Sequence, residues 1–257
     1  MTIVTLTTDF GTRDPWVGIV KGVILARCPE ARLVDLTHEI GAQDVLEGML
    51  ALAAAAPFFP AGTVHLAVVD PGVGGQRRPL AIAAGGQWFV GPDNGVLSVA
   101  LREPGWSAVT LTAPAHRLTP VSRTFHGRDV FAPAAAALAR GVALEALGPR
   151  VDDPRRLEPP RARRAGPAVV GEVIRVDRFG NLLTSIVAGD LAAVGGAPVV
   201  EVGGRTVRLV EAYAAVAVGK VGAVIDSEDR VEVFVRDGSA AVTLGLGRGA
   251  AVRVRPA

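Results

Sequence analysis

The first half of the chain alternates short apolar runs typical of strands with segments that carry apolar residues at helical spacing. The pattern predicts strands at Thr2 to Thr8, Leu33 to Leu36 and Val64 to Val69, and helices at Trp16 to Ala26 and Val45 to Ala56. Because strand and helix follow one another in turn, we expect a mostly parallel sheet connected by right-handed crossovers.

The same half then changes its pattern. Two apolar runs, Leu80 to Ala84 and Trp88 to Val90, flank the pair Gly85 and Gly86, which predicts a hairpin. Another strand is expected at Ala108 to Leu111, and an alanine-rich helix closes this half.

From Ala168 onward, short β-branched runs are separated by glycine turns, which is typical of an antiparallel β-domain, either a sandwich or a small barrel. The predicted strands are Val169 to Val176, Val199 to Val202, Thr206 to Val210, Ala223 to Ile225, Val231 to Val235 and Ala251 to Val254. The sequence therefore predicts an α/β domain over residues 1–150, a linker over 151–167 and a smaller antiparallel β-domain over 168–257. The linker holds five arginines and four prolines without apolar periodicity.

Composition narrows the class of protein. With 257 residues, 49% hydrophobic and 20% charged, the chain has an ordinary globular composition. The net charge of +2 is too small to indicate nucleic-acid binding, and the linker arginines lack interleaved aromatic residues that would stack on bases. The single cysteine, Cys28, excludes an internal disulfide and a cysteine-based zinc site within one chain.

Targeting segments are not expected either. The apolar run Met49 to Phe59 is interrupted by Pro57 and is shorter than the roughly 20 residues that span a bilayer. The first basic residue is Arg13, so no charged start precedes an apolar stretch, and we expect a cytoplasmic protein without a secretory signal.

The densest chemistry lies in the segment SRTFHGRDVFAP, Ser122 to Pro133, just before the alanine-rich helix. Gly127 permits a backbone conformation closed to other residues, and Asp129 is expected to cap the helix. His126 is thereby placed on a turn at a helix start, a common position for a functional side chain.

A second stretch, VVDPGVGGQRR, ends an apolar strand at Asp70 and continues through a glycine loop to Arg77 and Arg78. Ligands of open α/β sheets bind at the carboxyl ends of strands, so Asp70, one of these arginines and His126 could converge. The alternative is that Asp70 caps the turn, the arginines are solvated and His126 belongs to the core.

The second half has one comparable stretch, DRFGNLLTSI, which begins at Asp177. Phe179 could stack on a flat heterocycle while Asn181 supplies a donor and an acceptor. A plain turn around Gly180 is the alternative.

Other familiar motifs are missing. The glycine loop after Asp70 lacks the Gly-Lys-Ser/Thr of a phosphate-binding loop, and the segment GLGRG precedes a predicted strand instead of a helix. No paired-histidine spacing indicates a zinc site, and no Gly-x-Ser-x-Gly elbow indicates a serine hydrolase. We therefore expect neither a bound metal nor a cofactor.

Taken together, five segments resemble signatures of the S-adenosyl-L-methionine (SAM) hydrolase family, also called SAM hydroxide adenosyltransferases, which are relatives of the fluorinase and chlorinase. They are TTDFGTRDPWVGIVKG, VDPGVGGQRR, GPDNGVL, TFHGRDVFAP and VDRFGNLLTSI, in that order. The resemblance spans about Ile3 to Val254. It implies an N-terminal α/β domain and a C-terminal β-domain, in trimers whose ligand lies between the N-domain of one subunit and the C-domain of its neighbour. The implied reaction is attack of water on the ribose 5′ carbon of SAM, which gives adenosine and methionine.

The resemblance also implies roles for single residues. It makes Asp70, Arg77 and His126 the catalytic triad, with Arg77 preferred to Arg78 by its spacing from the acid. The implied substrate contacts are Asp9 to the ribose hydroxyls, Asp14 to the amino group of methionine, Ser227 to the amino-acid end, and Phe125, Asp177, Phe179 and Asn181 to the rest of the ligand.

Two other functions stay open on this resemblance, a SAM-dependent halogenase and a non-catalytic adenosine- or SAM-binding protein. Halogenating relatives carry a tyrosine where this chain has Asp70, and Asp70 with His126 would repel a halide, so hydrolysis is favoured. The chain departs from the family pattern at Glu228 and at Arg236, so backbone groups are the alternative source of adenine contacts between Arg236 and Ser239.

Overall fold

The computed structural model describes residues 2–192 and 194–257. The chain divides into two compact units, the first ending at Glu158 and the second beginning at Pro159. Residues 151–158 belong to the first unit, where the backbone amide of Leu157 donates to Ser98 Oγ at 2.7 Å. Each unit is described below by itself.

The first unit is built on a sheet with the strand order β2-β1-β3-β5-β4-β6 over the residues described. The strands are β1 (Ile3–Thr8), β2 (Arg32–Thr37), β3 (Val64–Val68), β4 (Pro79–Ala84), β5 (Gln87–Pro92) and β6 (Ser107–Thr110). Its α-helices are α1 (Trp16–Arg27), α2 (Val45–Ala55) and α3 (Ala132–Ala139).

The expectation of a mostly parallel sheet is wrong, because this sheet is mixed. Strand β1 runs parallel to β2 and β3, and β3 runs parallel to β5. Strand β4 is antiparallel to both β5 and β6. The cause is the hairpin at Gly85 and Gly86, since a two-residue connection can only join antiparallel strands, whereas parallel pairing needs a long crossover.

Helices α1 and α3 pack together on one face of this sheet. Six consecutive residues of α3, 132–137, are alanines except for Pro133, and all are buried. Their small side chains let the helix approach β1, whose Val4 and Leu6 are fully buried. This packing fixes the carboxyl ends of β1 and β3, where the candidate residues begin.

The second unit is a closed barrel, one of the two architectures expected, but the expectation of wholly antiparallel pairing is wrong. Seven strands follow the order β14-β10-β11-β12-β13-β9-β8, and β8 pairs again with β14, while β7 is attached outside the ring at β8. The strands are β7 (Arg163–Ala165), β8 (Ala168–Val176), β9 (Leu182–Val187), β10 (Pro198–Val202), β11 (Arg205–Val210), β12 (Val221–Ile225), β13 (Arg230–Val235) and β14 (Ala251–Pro256), with helices α4 (Ala188–Leu191) and α5 (Ala240–Leu244).

Pairing in the barrel is mixed because β11 and β12 run parallel. The connection between them, residues 211–220, is long enough to return the chain to the start of the neighbouring strand. No helix in the part of the chain that the structure describes is long and apolar enough to cross a membrane.

Candidate active site

A buried ion pair joins Asp70, which follows β3, to Arg77, which precedes β4. Arg77 Nε donates to both carboxylate oxygens of Asp70, at 2.9 and 3.1 Å, and Arg77 Nη2 donates to Asp70 Oδ2. The two side chains are only 6% and 9% exposed. A guanidinium that grips a carboxylate with two nitrogens is held in one orientation, so the rest of its donors point in fixed directions.

His126 completes a three-residue cluster. Its Nδ1 lies 2.8 Å from Arg77 Nη2. Because a guanidinium has only donors, Nδ1 must accept this hydrogen bond, and the imidazole is then neutral with its proton on Nε2. Burial, followed by the positive charge of Arg77, lowers the pKa of His126 below its usual value and so favours the same neutral state.

The glycine loop and the His126 segment approach each other closely at Gly74. Gly74 has a φ of +74°, and a Cβ added there would overlap the carbonyl oxygen of Arg123. Only glycine meets both conditions without strain. The loop that carries Arg77 can therefore lie against the segment that carries His126.

One donor of Arg77 is left over. Arg77 Nη1 is buried and has no hydrogen-bond partner among the described residues, while the guanidinium carbon lies 5.4 Å from the ring centroid of Phe131. A buried, rigid, unpartnered cationic donor is able to bind an oxygen that gains negative charge.

Asp129 does not cap a helix as predicted. Residues Gly127–Phe131 form a π-helical turn before α3, and Asp129 lies inside this turn with its side chain 1% exposed. Its carboxylate accepts from the backbone amide of Ser122 at 2.8 Å and from Arg128. Asp129 thus closes the loop that precedes the turn and holds the backbone around His126.

Two predicted acids of the first unit lie in the loop after β1. Asp9 accepts from the backbone amide of Gln43 at 2.9 Å, and Asp14 is exposed. No hydrogen bond joins Asp9 or Asp14 to the Asp70, Arg77 and His126 cluster among the residues described.

Phe125, which precedes His126 in the chain, lines a cavity of about 450 Å³ in the first unit. Its ring packs edge-on against Phe10 and Trp16, with centroid distances of 6.0 and 5.4 Å, and the Arg128 guanidinium carbon lies 5.3 Å from its centroid. Phe10, Trp16 and Arg128 line the same cavity and were not predicted from the sequence. Phe10 could have been, because it directly follows the predicted site residue Asp9.

The predicted residues of the second unit are held by a tight turn between β8 and β9. Asp177 Oδ1 accepts from the backbone amides of Phe179 and Asn181, at 2.9 and 2.8 Å, and Asp177 Oδ2 accepts from Asn181 Nδ2 at 3.2 Å. Gly180 has a φ of +82°, and a Cβ there would overlap Ser239. The turn leaves the ring of Phe179 75% exposed.

These three residues and Ser227 line one large cavity of the barrel unit, of about 1050 Å³. Tyr213 and Glu232 line it too, and the sequence gave no signal for either. Glu228 and Arg236, the two residues that depart from the family pattern, both form hydrogen bonds within the barrel unit. Glu228 accepts from Arg175 at 2.7 Å, and Arg236 donates to the carbonyl oxygens of residues 214 and 216.

No group of three or more histidine, cysteine, aspartate or glutamate side chains is arranged to hold a metal ion in the described parts of the chain. The candidate site residues thus lie in two places, the Asp70, Arg77 and His126 cluster of the first unit and the cavity of the second.

Comparison with protein families finds one domain model that matches the first unit and another that matches the second. The model of the SAM hydroxide adenosyltransferase N-terminal domain matches residues 4–148, and that of the C-terminal domain matches residues 171–253. The chain is 45% identical to an (R)-S-adenosyl-L-methionine hydrolase of Thermus thermophilus, over 96% of this chain and 97% of the relative. A fluorinase of Nocardia brasiliensis is 30% identical, over 75% of this chain and 74% of the relative.

A solved structure has the same fold over its whole length. The crystal structure of an uncharacterized conserved protein from Thermotoga maritima superposes with a TM-score of 0.91 at 33% identity, covering 99% of this chain and all of the other. With both domain models matched in order and a hydrolase 45% identical over nearly the whole length of both chains, this chain belongs to the SAM hydroxide adenosyltransferase family.

Proposed function

We propose that this protein hydrolyses S-adenosyl-L-methionine to adenosine and L-methionine. The observation that carries the proposal is the buried cluster of Asp70, Arg77 and His126, in a chain 45% identical to a protein named as such a hydrolase. The name of that relative specifies the (R) configuration, so the substrate proposed here is the diastereomer with (R) configuration at sulfur.

The leaving group needs little help in this reaction. The bond between C5′ and sulfur breaks with its electron pair on sulfur, so methionine leaves as a neutral thioether without a proton. A bond between the water oxygen and C5′ forms, and one proton is released. The reaction so proposed requires neither a metal nor a cofactor, since only the nucleophile has to be activated.

The cluster suits this task because its members have distinct hydrogen-bonding roles. The unpartnered Nη1 of Arg77 donates to the attacking oxygen and stabilises hydroxide-like character. His126 cannot be the base, since its Nδ1 already accepts from Arg77 and its Nε2 carries a proton. The carboxylate of Asp70 holds the remaining basic lone pairs and receives the proton of the water.

The remaining substrate contacts are proposed from the family resemblance. Asp9 holds the ribose hydroxyls, Asp14 and Ser227 bind the amino-acid end, and Phe125 contacts the rest of the ligand. Asp177, Phe179 and Asn181 form the part of the ligand pocket that lies in the barrel unit. Two observations support these contacts. The four barrel residues, Asp177, Phe179, Asn181 and Ser227, line one cavity. Phe125 lines a cavity of the first unit and precedes His126 in the chain.

The protein is proposed to work as a homotrimer in which the first unit of one subunit and the barrel unit of its neighbour complete each site. The support is that the catalytic cluster belongs wholly to the first unit and the large cavity wholly to the second.

Co-expression of His126→Ala with Phe179→Ala subunits tests this sharing. Sites shared between subunits regain wild-type composition in about one quarter of random pairings, so activity returns. Sites made within one chain recover none, and a monomer in light scattering would also refute the arrangement.

Product analysis tests the activity itself. The protein is incubated with SAM, with and without chloride, and products are separated by chromatography. Hydrolysis gives adenosine and methionine in equal amounts whether or not chloride is present. A chloride-dependent 5′-chloro nucleoside would instead indicate a halogenase, and tight binding without turnover would indicate a binding protein. Asp70→Asn and His126→Ala are expected to lower the rate strongly, and unchanged rates would remove the cluster from the mechanism.

A further inference from the structure

Glu232 is a buried carboxyl group on the floor of the barrel cavity. Its neighbours on β13, Val231 and Val233, point into the barrel core, so the alternation of the strand directs Glu232 to the opposite face, where it lines the cavity. Glu232 is only 4% exposed. Its Oε1 accepts from the hydroxyl of Tyr213 at 2.8 Å, and its Oε2 has no hydrogen-bond partner among the described residues.

The charges around Glu232 oppose its ionisation. Burial raises its pKa most, and the carboxylates of Asp177 and Asp226 raise it further, while the Tyr213 hydrogen bond and the charge of Arg175 act the other way. Arg175 is already bound to a different carboxylate, and Asp226 Oδ2 is itself buried without a partner. Burying a second unpaired negative charge there would be costly, so the neutral acid is the favoured form.

The tyrosine fixes which oxygen of the acid is which. Burial and the hydrogen bond to Glu232 raise the pKa of Tyr213, so its hydroxyl keeps its proton and donates to Oε1. Oε1 is therefore the carbonyl-like oxygen, and the proton of the acid belongs on Oε2, which is free to donate. Glu232 thus offers one donor and one acceptor side by side.

This pair of groups matches one edge of an adenine ring. Adenine places a ring nitrogen that accepts next to an exocyclic amine that donates, whereas hypoxanthine places a donor N1–H next to a carbonyl. Aromatic side chains of Phe179, Tyr213 and Phe234 also line the cavity and suit a flat ring. We infer that Glu232, as a neutral carboxylic acid oriented by Tyr213, recognises the amino edge of the adenine of the substrate.

The inference rests on the proposed function, and it adds a specificity residue to it. Glutamine at position 232 keeps an acceptor oxygen and a donor NH₂ in the same places, whereas alanine keeps neither. Calorimetry on the full chain measures the affinities for adenosine, inosine and methionine in wild type, Glu232→Gln and Glu232→Ala. Glu172, a carboxylate on the barrel that does not line the cavity, provides the matched control Glu172→Ala.

We expect Glu232→Gln to bind adenosine within about threefold of wild type, and Glu232→Ala to bind it about tenfold or more weakly. The preference for adenosine over inosine falls in Glu232→Ala but not in Glu232→Gln or in the Glu172→Ala control. Methionine affinity stays unchanged in all variants.

Three results would overturn the inference. They are an equal loss for adenosine and inosine, a Glu232→Gln variant as weak as Glu232→Ala, and a loss confined to methionine, which would make Glu232 a ligand of the ammonium group. SAM hydrolysis by the wild type, assayed in parallel, separates failure of this inference from failure of the proposed function.

Discussion

Replacing Arg77 with lysine tests the catalytic cluster at its centre. The variant keeps the positive charge beside Asp70, so the buried carboxylate is not left uncompensated and the fold is preserved. What it removes is geometry, because lysine carries one nitrogen in place of the three of arginine.

The expected loss follows from the contacts that Arg77 makes. Its Nε and Nη2 bind Asp70, Nη2 also reaches His126, and the buried Nη1 is left to face the nucleophile. A single ammonium that stays with Asp70 cannot also donate to His126 and to the attacking water. Losing one donor to developing charge typically lowers kcat about 10²- to 10³-fold, or about 2.7 to 4 kcal/mol of transition-state stabilisation.

The assay is adenosine formation from SAM at saturating and limiting substrate. We expect kcat and kcat/KM to fall by similar factors in Arg77→Lys, as for an interaction made only in the transition state. Arg78→Lys is the matched control, because Arg78 also forms ion pairs, in its case with Asp93 and Asp153, but lies outside the cluster. An Arg77→Lys enzyme within threefold of wild type, or an equal loss in the control, would refute this account of the cluster.

The pH profile of the same assay checks the state of His126. Burial and Arg77 hold its pKa below the usual 6.5, so the neutral imidazole persists from neutral pH to below 6.5. As the pH falls through the lowered pKa, Nδ1 is protonated and can no longer accept from Arg77, so activity declines. An enzyme that loses activity on rising from pH 6 to 8 would contradict the assignment of His126 as a neutral acceptor.

Further predictions concern the loop, the barrel turn and the core. Gly74→Ala is expected to lower stability by about 1 to 3 kcal/mol or more and to remove most of the activity, because the new Cβ would overlap Arg123. Gly62 has a positive φ without such an overlap, so the control Gly62→Ala is expected to lose less in thermal unfolding and in turnover. Phe179→Ala is expected to weaken adenosine binding about tenfold in calorimetry while leaving stability within about 0.5 kcal/mol. Phe58, which is also largely exposed but belongs to the first unit, supplies the control Phe58→Ala, which is expected to change neither. Burial lowers the pKa of His65 to about 4, so its contribution to stability is full above pH 6.5 and falls by about 3 kcal/mol as the pH drops to 4. Urea unfolding of wild type and of the non-titrating His65→Asn variant across this range measures the slope, and equal slopes would contradict the assignment.

The local elements of the first unit could be predicted because they depend on short-range patterns. Helix α1 was expected from Trp16 to Ala26 and runs from Trp16 to Arg27, and strand β3 was expected from Val64 to Val69 and ends at Val68. The hairpin at Gly85 and Gly86 was predicted as well. A hairpin implies one antiparallel pair wherever it lies, but no local signal shows that β5 pairs with β3 and β4 with β6.

The sequence left a sandwich and a small barrel open, because closure of the barrel depends on pairing between residues that are distant in the chain. Strands β8 and β14 pair Glu172 with Ala251, and the alternation of apolar residues in each strand is the same for an open sandwich and a closed ring. The parallel pairing of β11 with β12 gave no local signal either.

The candidate site divides in the same way. The catalytic cluster could be predicted because Asp70, Arg77 and His126 each lie in a glycine-containing turn next to a strand or helix. The structure joins the three side chains by hydrogen bonds. Glu232 gives no such signal. In the run VEVFV it resembles any polar residue on the outer face of a strand, and only the tertiary contact with Tyr213 shows that it is buried.

The most direct test of the central claim is to follow the oxygen atom of the nucleophile. Turnover of SAM in ¹⁸O-labelled water, with mass spectrometry of both products, locates the bond that water makes. The account predicts one heavy oxygen in the 5′ hydroxyl of adenosine, none in methionine, and loss of this product in the Asp70→Asn variant. Unlabelled adenosine, or label in the amino-acid product, would show that water does not attack the ribose carbon and would contradict the proposed role of the cluster.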